Sequence, residues 1–203
     1  MGKCVKRVGI CLLCASLIWG AMLVIDKNTL QKELIRLHVV AASDSQEDQE
    51  LKLRVRDAVV ESMQKDMADI ADVEQAKAYL QENLPKIEAV ANRVLQAAGC
   101  TDVAEVSLQL EEFATRYYDT FTLPAGIYEA LRITIGEGAG KNWWCVVFPT
   151  LCVGATVEAF EETAHCAGLP DRLTGALTGE EPYEVRFFFL DALGKLENFL
   201  HKG

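Results

Sequence analysis

The spacing of apolar residues changes along the chain, and each spacing predicts an element. Residues 8–25, VGICLLCASLIWGAMLVI, carry no charge and follow Lys3, Lys6 and Arg7. Basic residues before an apolar run form the pattern of an export signal, and a run this long also suffices to cross a bilayer. The basic end is expected to stay in the cytoplasm and the rest of the chain to be exported. We read 1–27 as a signal peptide or signal anchor and 28–203 as one exported domain. LIRLHVVAA (34–42) then reads as a buried strand. SDSQEDQE (43–50) follows, where Ser43 and Gln46 fit a capping box and the acids suit a helix start. That helix is expected to reach about Met67, with Leu51, Val55, Ala58, Val59, Met63 and Met67 in one stripe and Leu53 and Val60 in a second.

Two further helices are predicted over 73–83 and 86–99, with Pro85 at the start of the second and Gly99 at its end. VSLQLEE (106–112) alternates as a half-buried strand. In 123–152, Leu131, Ile133 and Ile135 face one way and Ala130, Arg132 and Thr134 the other. WWCVVF (143–148) is apolar on both faces, as in a central strand, and Pro149 is expected to end it. The pattern breaks over 153–182, an acidic segment expected to be the least ordered. YEVRFFFL (183–190) restores a period of two and reads as a strand, followed by a short amphipathic tail. The sum is an α+β fold, with about three helices on a mixed or antiparallel sheet of about five strands.

Half of the residues are apolar and a quarter charged, which is the balance of a folded domain. The net charge of −10 argues against a nucleic-acid partner. The glycine run in IGEGAGKNWWCVVFP (135–149) invites comparison with a phosphate loop. Ile135 stands where the first glycine belongs, Asn142 where the hydroxyl residue belongs, and a strand pattern follows where a helix is required. Gly136, Gly138 and Gly140 instead fit a hairpin loop with positive φ angles. No zinc spacing, nucleophile elbow or cofactor motif occurs. Asp44, Glu47, Asp48 and Glu50 read as a solvated helix start rather than a cation site.

Cys100, Cys145, Cys152 and Cys166 belong to the exported part, where bridges can form. A Cys145 thiolate would need a histidine, and nothing in the spacing joins His38 or His165 to it. A proline-bent return at Pro149 would bring Cys145 and Cys152 within bridging reach, and buried free thiols are the alternative. Trp143 and Trp144 must point to opposite faces of a strand. At least one is a candidate for partner contact. Arg54, Arg56 and Asp57 emerge from the first turns of the helix after Ser43, and Arg54 is a candidate for partner contact. Arg56 and Asp57 are candidates for partner contact or for a structural ion pair.

IRLHVVAASDSQEDQELKLRVRDAV (35–59), FATRYYDTFTLPAGIYEALRITIGEGAGKNWWCVVFPTLC (113–152) and VRFFFLD (185–191) together resemble the stage II sporulation protein R family. The distinctive blocks are Ser43-Asp44-Ser45, Val55-Arg56-Asp57-Ala58, Leu123-Pro124-Ala125-Gly126 and Asn142-Trp143-Trp144-Cys145 through Phe148-Pro149. Ala42, Ala114 and Thr150 depart from the family's asparagine, proline and proline. The resemblance implies a signal of endospore formation, exported from the forespore into the space between the two membranes. There it would activate a membrane-embedded aspartic protease of the mother cell, which processes a sigma factor precursor. It would need no cofactor or small-molecule substrate and would act by binding. The competing readings from the residues are an exported Cys145-dependent cell-wall hydrolase and a small-ligand binding module.

Overall fold

A computed structural model describes residues 2–70, 72–149, 163–165, 168–179 and 184–201. The chain runs α1 (Gly2–Glu33), β1 (Ile35–Val40), α2 (Gln46–Ala68), α3 (Val73–Ala97), β2 (Ala104–Phe113), β3 (Arg116–Tyr117), β4 (Thr122–Leu123), β5 (Gly126–Ile135) and β6 (Asn142–Phe148). Two helices close it, α4 (Asp171–Thr178) and α5 (Glu184–His201). The fold is α+β. Four strands form a mixed sheet in the order β2-β5-β1-β6, and β3 and β4 form a two-stranded sheet of their own.

β1 is the centre of the sheet and is buried along its whole length. It pairs parallel with β5 and antiparallel with β6. Leu37, Val39, Leu131 and Ile133 share one face and belong to the core. α2 and α3 lie on that face, as the pairs Lys77–Glu129 and Arg56–Trp143 require. Arg36, His38, Arg132 and Trp144 share the other face, by the same alternation and register.

Several expectations need correction. The helix after β1 is capped by Ser45, whose hydroxyl accepts from the Asp48 amide at 3.1 Å, not by Ser43. The Ser43 hydroxyl instead accepts from the Ser45 amide and donates to Asp48 Oδ2, so it braces the true cap. Residues 73–97 form one helix with Pro85 inside it, not two. An internal proline costs about 3 kcal/mol. Ala76, Leu80, Ile87, Ala91 and Leu95 nevertheless lie on one continuous buried stripe, and that packing outweighs the broken bond. Gly99 ends the helix region with φ 73°, as expected.

β6 is an edge strand among the described residues, not a central one. The glycine loop before it is not a hairpin, because β1 lies between β5 and β6. The loop therefore arches over the end of β1. Gly140 N donates to Ala41 O at 2.9 Å and Ala139 N to Ala42 O at 3.2 Å. Gly138 has φ 62°, but Gly140 is there for closeness, since a Cβ would overlap the Ser43 backbone.

Residues 184–190 are helical, not a strand. Of the acidic segment, residues 163–165 are helical and Asp171–Thr178 is a buried helix ending on Gly179 at φ 78°. The rest of the segment lies outside the described residues.

α1 runs past residue 27 into the domain. Leu23, Asp26 and Leu30 are buried, while most of the helix before them is exposed and apolar. One stretch, Lys6–Glu33, is long and apolar enough to cross a membrane.

Candidate functional site

β6 carries a cation over each of its tryptophans, one on each face. Trp143 projects toward α2, where the Arg56 guanidinium stands 4.3 Å from its ring centroid. Arg56 also donates to Asp57 Oδ1, from Nε at 2.8 Å and from Nη2 at 2.5 Å. The exposed Asp57 thus holds the guanidinium over the indole. Trp143 keeps 37% of its surface exposed. The structure joins Arg56, Asp57 and Trp143 into one surface group. Arg54 lies apart, in an open groove between α2 and α3 with Glu61 and Arg93.

Trp144 faces the other way, as the pleat demands. His38 stacks on it at 5.6 Å between centroids, and Arg116 Cζ lies 3.4 Å from the ring centroid. His38 Nδ1 bonds Glu111 at 2.6 Å, Arg132 Nη1 donates to Glu111 at 2.8 Å, and so does Gln109 Nε2 at 2.8 Å. Burial alone would raise the Glu111 pKa. The bonds from His38, Arg132 and Gln109 reverse that and hold it at about 2. Below this group, Arg36 is wholly buried. It donates to the Tyr118 hydroxyl at 2.9 Å and lies 3.9 Å from the Phe113 ring centroid. Burial, with Arg36 nearby, lowers the Arg116 pKa.

Among the described residues, four donor or ring nitrogens here have no hydrogen-bond partner: Arg36 Nε and Nη1, His38 Nε2 and Arg116 Nε. Cation–π contact replaces part of their lost hydration. The sequence reading did not single out Arg36, Arg116 or Glu111. The signal was present in β1, where Arg36 and His38 interrupt an apolar run at the two positions that share a face.

The group brings charge and aromatic surface together on one face of the sheet. Cys145 is buried and disulfide-bonded. A bridged sulfur offers no thiolate, so Cys145 cannot act as the nucleophile of the hydrolase reading in this form. His38 pairs with Trp144 in the sheet and points to the face opposite Cys145. Cys152 lies outside the described residues, so the expected partner of Cys145 falls there. Gly126, at φ 156°, begins β5 beside the Gln31 side chain. Pro149 stands directly after β6, where the strand stops. Among the described residues, no three His, Cys, Asp or Glu side chains gather to hold a metal.

No solved structure matches the chain. The family pattern described as "Stage II sporulation protein R (spore_II_R)" matches residues 31–158, which hold β1 through β6 and both tryptophan pairs. A curated protein of Bacillus subtilis (strain 168), "Stage II sporulation protein R", is 38% identical over 220 aligned residues, covering 94% of this chain and 98% of its own length. The chain belongs to the stage II sporulation protein R family.

Proposed function

We propose that the chain is an exported, non-catalytic signal of endospore formation. It acts in the space between forespore and mother cell, where it activates a membrane-embedded aspartic protease that processes a sigma factor precursor. Family membership supports the role in sporulation, and the apolar α1 supports passage to, or anchorage in, the membrane. The observation that carries the binding reading is the half-open Trp143 clamped by Arg56 and Asp57. Partly exposed tryptophan and arginine are the residue types that concentrate binding energy at protein contacts. Asp57 fixes the guanidinium before any partner arrives, which reduces the ordering cost of binding.

Activation follows if the receptor's active state binds this surface more tightly than its inactive state does. The full chain and the receptor protease, co-reconstituted in vesicles with the sigma factor precursor, provide the test. Trp143→Ala and Arg56→Ala are expected to lose processing while unfolding at nearly the same temperature as the parent chain. Processing at the parent rate by both variants rules out this surface. Processing that fails to depend on the chain at all rules out the activator role.

A further inference from the structure

α5 has two unlike faces. One packs on the domain: Leu190 is buried, Gly194 stands against Ala125, and Asn198 Nδ2 donates to Phe113 O at 2.9 Å. The opposite face carries Val185, Phe188, Leu196, Phe199 and Leu200, all exposed, Phe199 by 75%. At 3.6 residues per turn they fall within an arc of about 120°, which sets them in one stripe. The stripe runs the length of an 18-residue helix, about 27 Å at 1.5 Å per residue. A contiguous apolar surface of that extent marks an interaction site.

Its surroundings identify the occupant. Phe189, beside the stripe, meets Trp19 of α1 edge-on at 4.8 Å. Trp19 belongs to the exposed apolar surface of the helix that is long enough to cross a membrane. The stripe and the span are therefore one continuous apolar surface. Asp26 is the first acid along α1, and it bonds Arg172 of α4 and Arg186 of α5. A cluster of charges belongs on the water side of the headgroups, outside the hydrocarbon. Trp19 lies about 10 Å further in along α1, at the depth of an interfacial aromatic belt. Four charges of α5 are paired as well: Asp191 with Lys195, Glu197 with Lys27, and Arg186 with Asp26. The stripe offers apolar area and no net charge, which suits lipid and does not depend on anionic headgroups.

We propose that α5 lies on the outer surface of the membrane that α1 crosses, with Phe188, Leu196, Phe199 and Leu200 at the boundary between headgroups and acyl chains. The domain is then held to the bilayer at two places, in one fixed orientation. This rests on α1 being a membrane span. The test places a photo-crosslinking phenylalanine analogue in the full chain, in phosphatidylcholine nanodiscs. It is placed at Phe199, at Val8 within the span, and at the exposed Leu110 of β2. Lipid adducts at Phe199 and Val8, with none at Leu110, are the expected result. Adducts at Val8 without any at Phe199 overturn the docking of α5 and leave the span intact. No adduct at Val8 overturns both. Equal adducts at Phe199 and Leu110 show unspecific contact and also overturn it. A protein adduct in place of lipid at Phe199, in sporulating cells, assigns the stripe to a protein partner instead.

Discussion

Asp26 of α1 is fully buried and accepts from Arg186 of α5, while Arg172 of α4 binds its other oxygen at 2.8 Å. One carboxylate thus ties the apolar helix to the two C-terminal helices. Removing one partner of a buried ion pair costs about 3–5 kcal/mol, because the remaining charge is left unmatched. Arg172 is nearly half exposed and can return to water, so the loss falls mainly on Arg186. Asp26→Ala is expected to cost about 3 kcal/mol, at the lower end of that range. Thermal unfolding of the full chain in detergent measures it. An unchanged midpoint contradicts the buried tie.

Gly194 is a second fixed point of the same interface. A Cβ at Gly194 would overlap the carbonyl of Ala125. That carbonyl has little freedom, because the amide of the same residue, Ala125 N, donates to Asp191 Oδ1 at 2.9 Å. Alanine favours a helix interior over glycine by about 1 kcal/mol, but overpacking against fixed backbone costs about 1–3 kcal/mol. Gly194→Ala is therefore expected to destabilise. A rise in the unfolding midpoint would place α5 further from the sheet.

The sequence announced the elements that depend on local pattern and missed those that depend on distant neighbours. β1, α2 and β5 stand where periodicity placed them. The stripe through Pro85 continued in register, yet the proline signal suggested a break that packing overrides. Tyr183, Val185, Phe187 and Phe189 recur at a period of two, so a window ending at residue 190 reads as a strand. A window extended to residue 200 brings Leu190, Leu193, Gly194 and Glu197 onto one helical face. Nothing local could reveal that β1 enters the sheet between β5 and β6. At the site, Arg56, Asp57 and Trp143 were legible as types, but their union was not, since 86 residues separate Asp57 from Trp143 in the chain. Glu111 was invisible because its partner His38 lies 73 residues away.

Glu111 gives the fold a measurable acid sensitivity. Its folded pKa is about 2, against an ordinary value of 4.5. A depressed carboxylate contributes stability that is fully present above its unfolded pKa and is lost as pH falls through the folded value. The stability difference between the parent and Glu111→Gln is expected to be constant from neutral pH down to about 5 and to shrink steadily between about 4.5 and 2. Asp191 and Glu197 are also held low by their partners, so the parent chain alone loses more than this. Comparing the two chains separates the Glu111 cluster from those two carboxylates. A difference that does not change over that interval means the carboxylate is not held by His38, Arg132 and Gln109.

Cys145 is bridged, while Cys11, Cys14 and Cys100 are free. Cys152 is the partner we expect. β6 ends at Phe148, and Pro149 follows directly. Cys152 lies seven residues after Cys145 in the chain, a separation that a bridge can close. Closing so short a loop stabilises by about 2 kcal/mol on the chain-entropy estimate, less than a long-range bridge would. Its position matters more, because Cys145 follows Trp143 and Trp144 and anchors the strand that presents them. Cleavage after Leu151 and after Glu158 separates Cys145, Cys152 and Cys166 onto different peptides. Non-reducing mass mapping of protein taken from outside the cytoplasm is expected to recover the Cys145 peptide linked to that of Cys152. Recovery linked to Cys166 instead contradicts the short loop and ties the tryptophan edge to the C-terminal part of the chain.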